Sequence, residues 1–391
     1  MERPSIWVLV VVLLLGILFL REPRFQRSEE TFLRWLLRYS QVPKKPVPLT
    51  VVEIGKEGAV PPLDYALFLQ GVLEFKPTTI AIQPVLRWGD RNKDQEQIFI
   101  DLAMRVPKLL LGAELTATPD PDAPVVEIPS FTHVTGRRGD LPAFSGIERQ
   151  PSDDVRVISG TGFTNTPDEV SDDIHVPLLF QYRGEVIPSF PLQAALLYLG
   201  ITPDEVQVDI GSAISLPNGT KIPVRADGTV LINPAMSQRA RHVALNELLL
   251  ASQQHESGAP SSIRLDDLRS QLVLAHTIPD SNGFAAAIAA IQTNSFVRRV
   301  SWIFDCIVLV GAVAISGVLR RFSRVDLVIG AIALSAAYGL IALGILSTWS
   351  VWLPGWLPLG AIWASVLFAV FLPKPKDAAR TVAIAAPPPT P

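Results

Sequence analysis

Four apolar runs, one near the N-terminus and three crowded toward the C-terminus, constrain this chain more than any other feature. Ile6 to Leu20 holds 14 apolar residues in 15, with Gly16 the exception. As a helix it would be about 22 Å long against a hydrocarbon core of roughly 30 Å, so the flanking Met1 to Ser5 and the stem of Arg21 must contribute to a crossing. Arg21-Glu22-Pro23-Arg24 follows, with no small-residue cleavage site and no lipid-attachment cysteine. An uncleaved anchor is expected rather than a removed signal peptide. The other runs are Val300 to Leu319, Leu327 to Leu346 and Leu353 to Leu372, all of similar length and closely spaced. Three consecutive runs, each roughly long enough to span a bilayer, are hard to bury inside a water-soluble domain. The expected frame is four transmembrane helices, one N-terminal and three C-terminal.

Charge sets the expected orientation. Arg320, Arg321 and Arg324 crowd the loop 320–326, Lys374, Lys376 and Arg380 lie in the tail 373–391, and the outer turn 347–352 carries no charge. The positive-inside rule places the arginine loop and the tail in the cytoplasm. Trp349, Trp352 and Trp356 then form an aromatic belt at the outer interface. Counting back, residues 1–5 lie inside, 6–20 cross outward, 21–299 form an extracytoplasmic domain and 300–319 cross inward. Two basic flanks run against this order: Arg298-Arg299, and the group Arg21, Arg24 and Arg27. Asp305, near the outer end of the second span, is expected to reach the interface or pair with Arg298 or Arg299.

Composition removes several function classes. The formal net charge of -3 gives no basic excess for a nucleic-acid partner. The single cysteine, Cys306, excludes an internal disulfide framework and a multi-cysteine zinc site. No HExxH, GxSxG, GxxxxGK[ST] or EF-hand pattern is present, so no catalytic residue, metal ligand or cofactor is predicted, and the chain is not expected to be an enzyme. His133, His175, His242, His255 and His276 show no metal-ligand spacing, and surface or capping roles are expected for them.

The stretch from Arg21 to Arg299 is ample for an α/β domain. Ser28 to Tyr39 aligns Phe32, Trp35, Leu36 and Tyr39 on one helical stripe, with Ser28 as N-cap; this helix either lies on lipid or packs on the domain. Leu49 to Ile54 and Thr78 to Ile82 read as buried strands joined by a helix in Pro61 to Phe75, a β-α-β unit with parallel strands. A helix from Asp94 to Arg105 leads to a strand at Lys108 to Gly112. Thr118 to Asp154, rich in Pro, Asp, Gly and Arg, reads as a surface excursion. Ser159-Gly160-Thr161-Gly162 reads as a turn. Hairpins are expected around Arg183-Gly184, Pro217-Asn218-Gly219 and Asp227-Gly228, with a helix at Pro191 to Leu199 and a last strand at Leu272 to Ala275. The fold class is therefore a mixed sheet with a β-α-β unit and hairpins.

This order of segments resembles the CHASE domain of the second type, an extracytoplasmic sensory module associated with bacterial cyclases and histidine kinases. The resemblance covers roughly residues 28 to 372. It is carried by VVEIG at Val51, TTIAIQP ending at Pro84, GFTNTPDE at Gly162, VPLLFQYRGEVIPSFPLQAAL from Val176, KIPVRADGTVLIN from Lys221 and LRSQLVLAHTIPD from Leu268. It implies a multi-pass protein of the bacterial cytoplasmic (inner) membrane with its large domain outside. The implied partners are the lipid bilayer, an unknown small-molecule ligand, and a membrane signalling partner or a second copy of the chain.

Departures from the family pattern are also visible. Where acidic residues commonly end the first two strands, this chain has Glu53 and Gln83. The Trp-Pro-Trp-like segment is Val60-Pro61-Pro62, Asp172-Asp173-Ile174-His175 lacks the usual Asp-Gly and Arg, and Ala275-His276 stands where Gly and Thr are usual. After Leu372 only the tail 373–391 follows, too short for a kinase or cyclase, so a signal is expected to pass through a membrane partner. Glu53 and Gln83, at the C-terminal ends of parallel strands where open α/β sheets hold ligands, are the predicted ligand-binding residues. Capping of neighbouring helices or hydrogen bonding to loop backbone is the alternative. A structural or assembly protein that keeps the fold without sensing is the second functional reading.

Overall fold

A computed structural model describes residues 4–19, 22–41, 45–56, 60–88, 93–118, 128–166, 174–278, 283–319 and 323–371. Residues 320–322 of the arginine loop, the tail, Asp172 and Asp173 lie outside these residues. The chain forms two compact units, 42–297 and the two terminal segments taken together, Met1–Gln41 with Arg298–Pro391.

The unit 42–297 is built on a seven-stranded mixed sheet. Its strands are β1 (Leu49–Lys56), β2 (Thr79–Ile82), β3 (Leu109–Thr116), β4 (Gly146–Arg149), β5 (Gly160–Phe163), β6 (Arg241–Ala244) and β7 (Leu272–Ile278). The order is β6-β1-β7-β2-β3-β4, with β5 also on β3. All these pairings are parallel except β3 with β4. β1 and β2 are parallel as the β-α-β pattern predicts, yet β7, far away in sequence, is inserted between them.

Strand alternation gives the sheet two apolar faces. Val52, Ile54, Ile80, Ile82, Leu109, Leu111, Val243 and Val273 pack with the helices Pro62–Leu73, Lys93–Ala103 and Leu245–Glu256. Val51, Ala81, Leu110 and Leu274 face the opposite core, with the helices Phe190–Leu199 and Phe284–Thr293, where Phe190 and Phe284 stack at 5.9 Å. With both faces covered, the parallel strands read as near-continuous apolar runs.

Several expectations are corrected. The Thr118–Asp154 excursion contributes β4 and a strand at His133–Thr135, which pairs with Gln207–Asp209. Residues 160–162, expected as a turn, lie in β5, because glycines at Gly160 and Gly162 permit close packing: a Cβ on Gly162 would meet the Phe190 ring at 2.9 Å. The hairpins at Arg183-Gly184 and Pro217-Asn218-Gly219 form. Asp227-Gly228 makes a turn, but the strand after it, Thr229–Leu231, pairs with His175–Pro177. β6 and the alanine-rich helix Phe284–Thr293 are additions that the sequence patterns do not announce.

In the other unit, helices occupy all four apolar runs: Pro4–Phe19, Trp302–Leu319, Arg324–Trp349 and Trp356–Phe371. Leu13, Leu309, Ala312, Val313, Leu327, Ala331, Ala361, Ile362 and Val366 pack between them. Among the described residues one helix, Val325–Trp349, is long and apolar enough to cross a membrane, and only 11% of its most apolar stretch is buried. The helix expected from Ser28 starts at Pro23, so Ser28 lies inside it. It buries Glu29, Leu33, Leu36 and Leu37 within this unit and leaves Trp35 and Tyr39 exposed.

Candidate functional site

The C-terminal edge of the parallel strands gathers polar side chains that the apolar runs otherwise exclude. On β1 the run Leu49 to Val52 is buried, and Glu53 is the first residue that reaches solvent. Glu53 is in register with His276 on β7, and a bulge follows immediately, between Glu53 and Gly55. A bulge bends the strand and re-aims the side chains beside it. On the other flank of β1, His242 of β6 is in register with Val51. Alternation therefore puts Glu53, His242 and His276 on one face of the sheet, that of the Phe190–Leu199 and Phe284–Thr293 helices.

The side chains converge. His242 Nδ1 is 3.9 Å from Glu53 Oε1, and the nearest donor atoms of Glu53, His242 and His276 lie within 4.8 Å of one another. His276 is buried at 4% exposure, whereas the side chains of His242 and Glu53 are 41% and 38% exposed. His242 Nε2 is 2.9 Å from the Ser237 carbonyl. A carbonyl only accepts, so Nε2 carries the hydrogen. Ser237 is fixed in the turn Pro234–Arg239, where the Asn233 side chain accepts from Ala235 N–H at 3.0 Å and Ser237 Oγ donates to the Pro234 carbonyl at 2.9 Å. Arg241, just before His242, donates to Asp267 at 2.7 Å. That bond, with help from Arg264, holds the Asp267 carboxyl below its usual range.

Gln83 follows the last residue of β2. Its N–H donates to the Ala275 carbonyl at 3.0 Å, and its side-chain Oε1 is enclosed with no hydrogen-bond partner among the described residues. Gly112 of β3 lies against the Gln83 carbonyl so closely that no Cβ fits there. Glu53 and Gln83 thus stand at the same edge, on strands separated by β7, on the order of 10 Å apart by strand spacing.

Sequence reasoning singles out Glu53 and Gln83 and leaves the histidines unconnected. His276 is legible in part: it lies two residues beyond Leu274 on an expected buried strand, so alternation keeps it on the same face. His242 carries no such signal, because β6 is short and half polar. The remaining histidines sit elsewhere: His133 on an exposed strand, His175 against Arg225 at 2.8 Å, and His255 stacked on Phe75.

The family profile of the CHASE2 domain matches residues 8–368. The chain belongs to the CHASE2 domain family. The match takes in nearly the whole chain, with the greater part of each apolar run, and CHASE2 domains are extracytoplasmic sensory domains. The mixed α/β sheet described above is consistent with that class. No curated protein and no solved structure matches the chain.

Proposed function

We propose that this CHASE2 protein is a membrane-anchored extracytoplasmic sensor without catalytic activity of its own, resident in the bacterial cytoplasmic membrane with four crossings. Its α/β domain binds a small molecule or partner at the strand edge bearing Glu53 and Gln83, and the membrane helices pass the change to a membrane partner. The observation that carries the membrane half of this reading is the inverted surface of the helical unit. Small and branched residues pack inside, while Leu18 and Leu340 are each 71% exposed and Ile307 and Val325 are 60% and 68% exposed. A continuous apolar exterior of this kind suits lipid and is unfavourable in water. The exposed aromatic side of the Pro23–Tyr39 helix, with Phe32 stacked on Trp35 and Trp35 against Tyr39, suits the interface.

Reporter fusions test the arrangement. Alkaline phosphatase should be active when fused after residue 299 or after residue 350, and a fluorescent protein should fold when fused within 320–323 or after residue 391. The reverse pattern at residues 299 and 320–323 rejects it.

The substitution of Gln83 for a commonly acidic residue favours a second reading, an assembly protein that keeps the fold. Recovery from native membranes in mild detergent separates the two. A kinase, cyclase or other signalling protein among the bound chains supports the sensor, and envelope-building components alone support the assembly role.

A further inference from the structure

We propose that Glu53, His242 and His276 form a binding site for a divalent first-row transition-metal ion. Their donor atoms lie within 4.8 Å of one another on three adjacent strands. Three donors bound at about 2.0–2.2 Å to one ion sit roughly 3–3.5 Å apart. Modest rotation of the two accessible side chains, His242 and Glu53, closes that difference around the buried His276.

The hydrogen bonding at His242 supports the assignment. With Nε2 held on the Ser237 carbonyl, the His242 ring is oriented so that Nδ1 lies on the side of Glu53 Oε1, 3.9 Å away. A cation placed between this nitrogen and the carboxylate oxygen would be held by both, with the buried His276 as the third donor. Holding the outer N–H of an imidazole on a backbone carbonyl is how proteins orient metal-binding histidines. The turn that carries Ser237 is fixed by its own side-chain bonds, so the ring orientation does not depend on the ion.

Donor chemistry selects the class of ion. Two imidazoles and one carboxylate favour zinc, iron, cobalt or nickel over calcium and magnesium, which prefer all-oxygen shells. Three protein donors leave a coordination position open. That position faces the accessible side of His242 and Glu53, where an anionic group of a small molecule would complete the shell. The ion would bridge β6, β1 and β7, three strands contributed by distant parts of the chain. Its role as a stimulus rests on the sensory reading above, whereas binding itself does not.

The test uses the full-length chain in mild detergent, stripped with a chelator and titrated with Zn2+ by calorimetry and with Co2+ by visible absorption. One equivalent of Zn2+ should bind, and Co2+ should give the absorption of a nitrogen- and oxygen-ligated ion. His242→Ala and Glu53→Gln should each weaken Zn2+ binding by about tenfold or more. Both positions are accessible, so circular dichroism and metal-free thermal unfolding should not change. His133→Ala, on a separate exposed strand, should bind like the parent. Absence of saturable binding in the parent chain, or binding that both His242→Ala and Glu53→Gln leave intact, overturns the site. If Zn2+ binds as proposed but adding or removing it leaves recovery of signalling partners unchanged, the site stands and the ion's role as stimulus fails.

Discussion

The carboxylate of Glu29 accepts the backbone N–H groups of Gly355 at 2.6 Å and Leu357 at 3.1 Å, joining segments from opposite ends of the chain. These donors belong to the start of the Trp356–Phe371 helix, whose first N–H groups have no partner within the helix. A carboxylate there both accepts the hydrogen bonds and complements the helix dipole. Glu29 is 1% exposed, and burial raises its pKa above the ordinary 4.5 against the opposing pull of these bonds. With the folded value above the unfolded one, stability from this group is fully present below 4.5 and falls as pH rises through the folded value. Glu29→Gln, which keeps an acceptor, should flatten that dependence. Glu29→Ala leaves two buried donors unpaired and should cost about 2–3 kcal/mol. Thermal unfolding in detergent across the acid-to-neutral range checks both; parallel pH curves for the parent and Glu29→Gln would exclude the assignment.

Arg299 holds Asp305 on one side, at 3.5 Å, and lies over the Trp352 ring at 4.9 Å on the other. The Asp305 side chain is 4% exposed. Arg299→Ala should therefore destabilise the helical unit by about 3 kcal/mol, because it strands a buried carboxylate. Adding Asp305→Asn should recover a large part of that loss. The double-mutant cycle is decisive: simple additivity of the two changes would show that the pair is not coupled.

Gly112 allows β3 to approach the Gln83 backbone, and an added Cβ would collide with the Gln83 carbonyl. Backbone has little room to yield, so Gly112→Ala should cost about 2 kcal/mol or more through strain at this edge. Denaturant unfolding measures the cost. A variant as stable as the parent would mean that the edge is not closely packed.

Asp267 accepts from Arg241 Nη1 at 2.7 Å and from Arg264 N–H at 3.1 Å, and its pKa is lowered chiefly by the Arg241 bond. A depressed carboxylate contributes stability that is present above the unfolded value of 3.8 and lost as pH falls through the folded value. Asp267→Asn should cost about 1 kcal/mol near neutral pH, the modest amount expected of a partly exposed ion pair. Its disadvantage should vanish in acid; a deficit that persists unchanged below the folded value would point to lost packing instead.

Parts of the candidate site are legible in the sequence. Glu53 and Gln83 each interrupt an apolar, β-branched run at its end, and the crossover between the runs requires parallel strands, so both residues have to stand at the same edge. The convergence of His242 and His276 on Glu53 is not legible. Both histidines lie far from Glu53 along the chain, and nothing local announces β6, whose segment Arg241–Ala244 becomes a strand only by adding to β1. The same cause explains Gly160 to Phe163: a glycine-rich segment reads as a turn until a neighbouring strand supplies its hydrogen bonds. At Arg183-Gly184 local information is enough, because both residues adopt the positive φ that a tight hairpin turn demands.

Local period and local backbone preference, both written along the chain, determined where apolar helices form, which runs become buried strands and where two hairpins turn. Tertiary structure alone decided that β7 lies between β1 and β2, that β6 extends the sheet beyond β1, and that Glu29 caps a helix near the other end of the chain. Side-chain alternation fixes the face on which a residue lies, but its neighbour on the next strand depends on how distant segments bury their apolar faces together. That packing brings Glu53, His242 and His276 to one point.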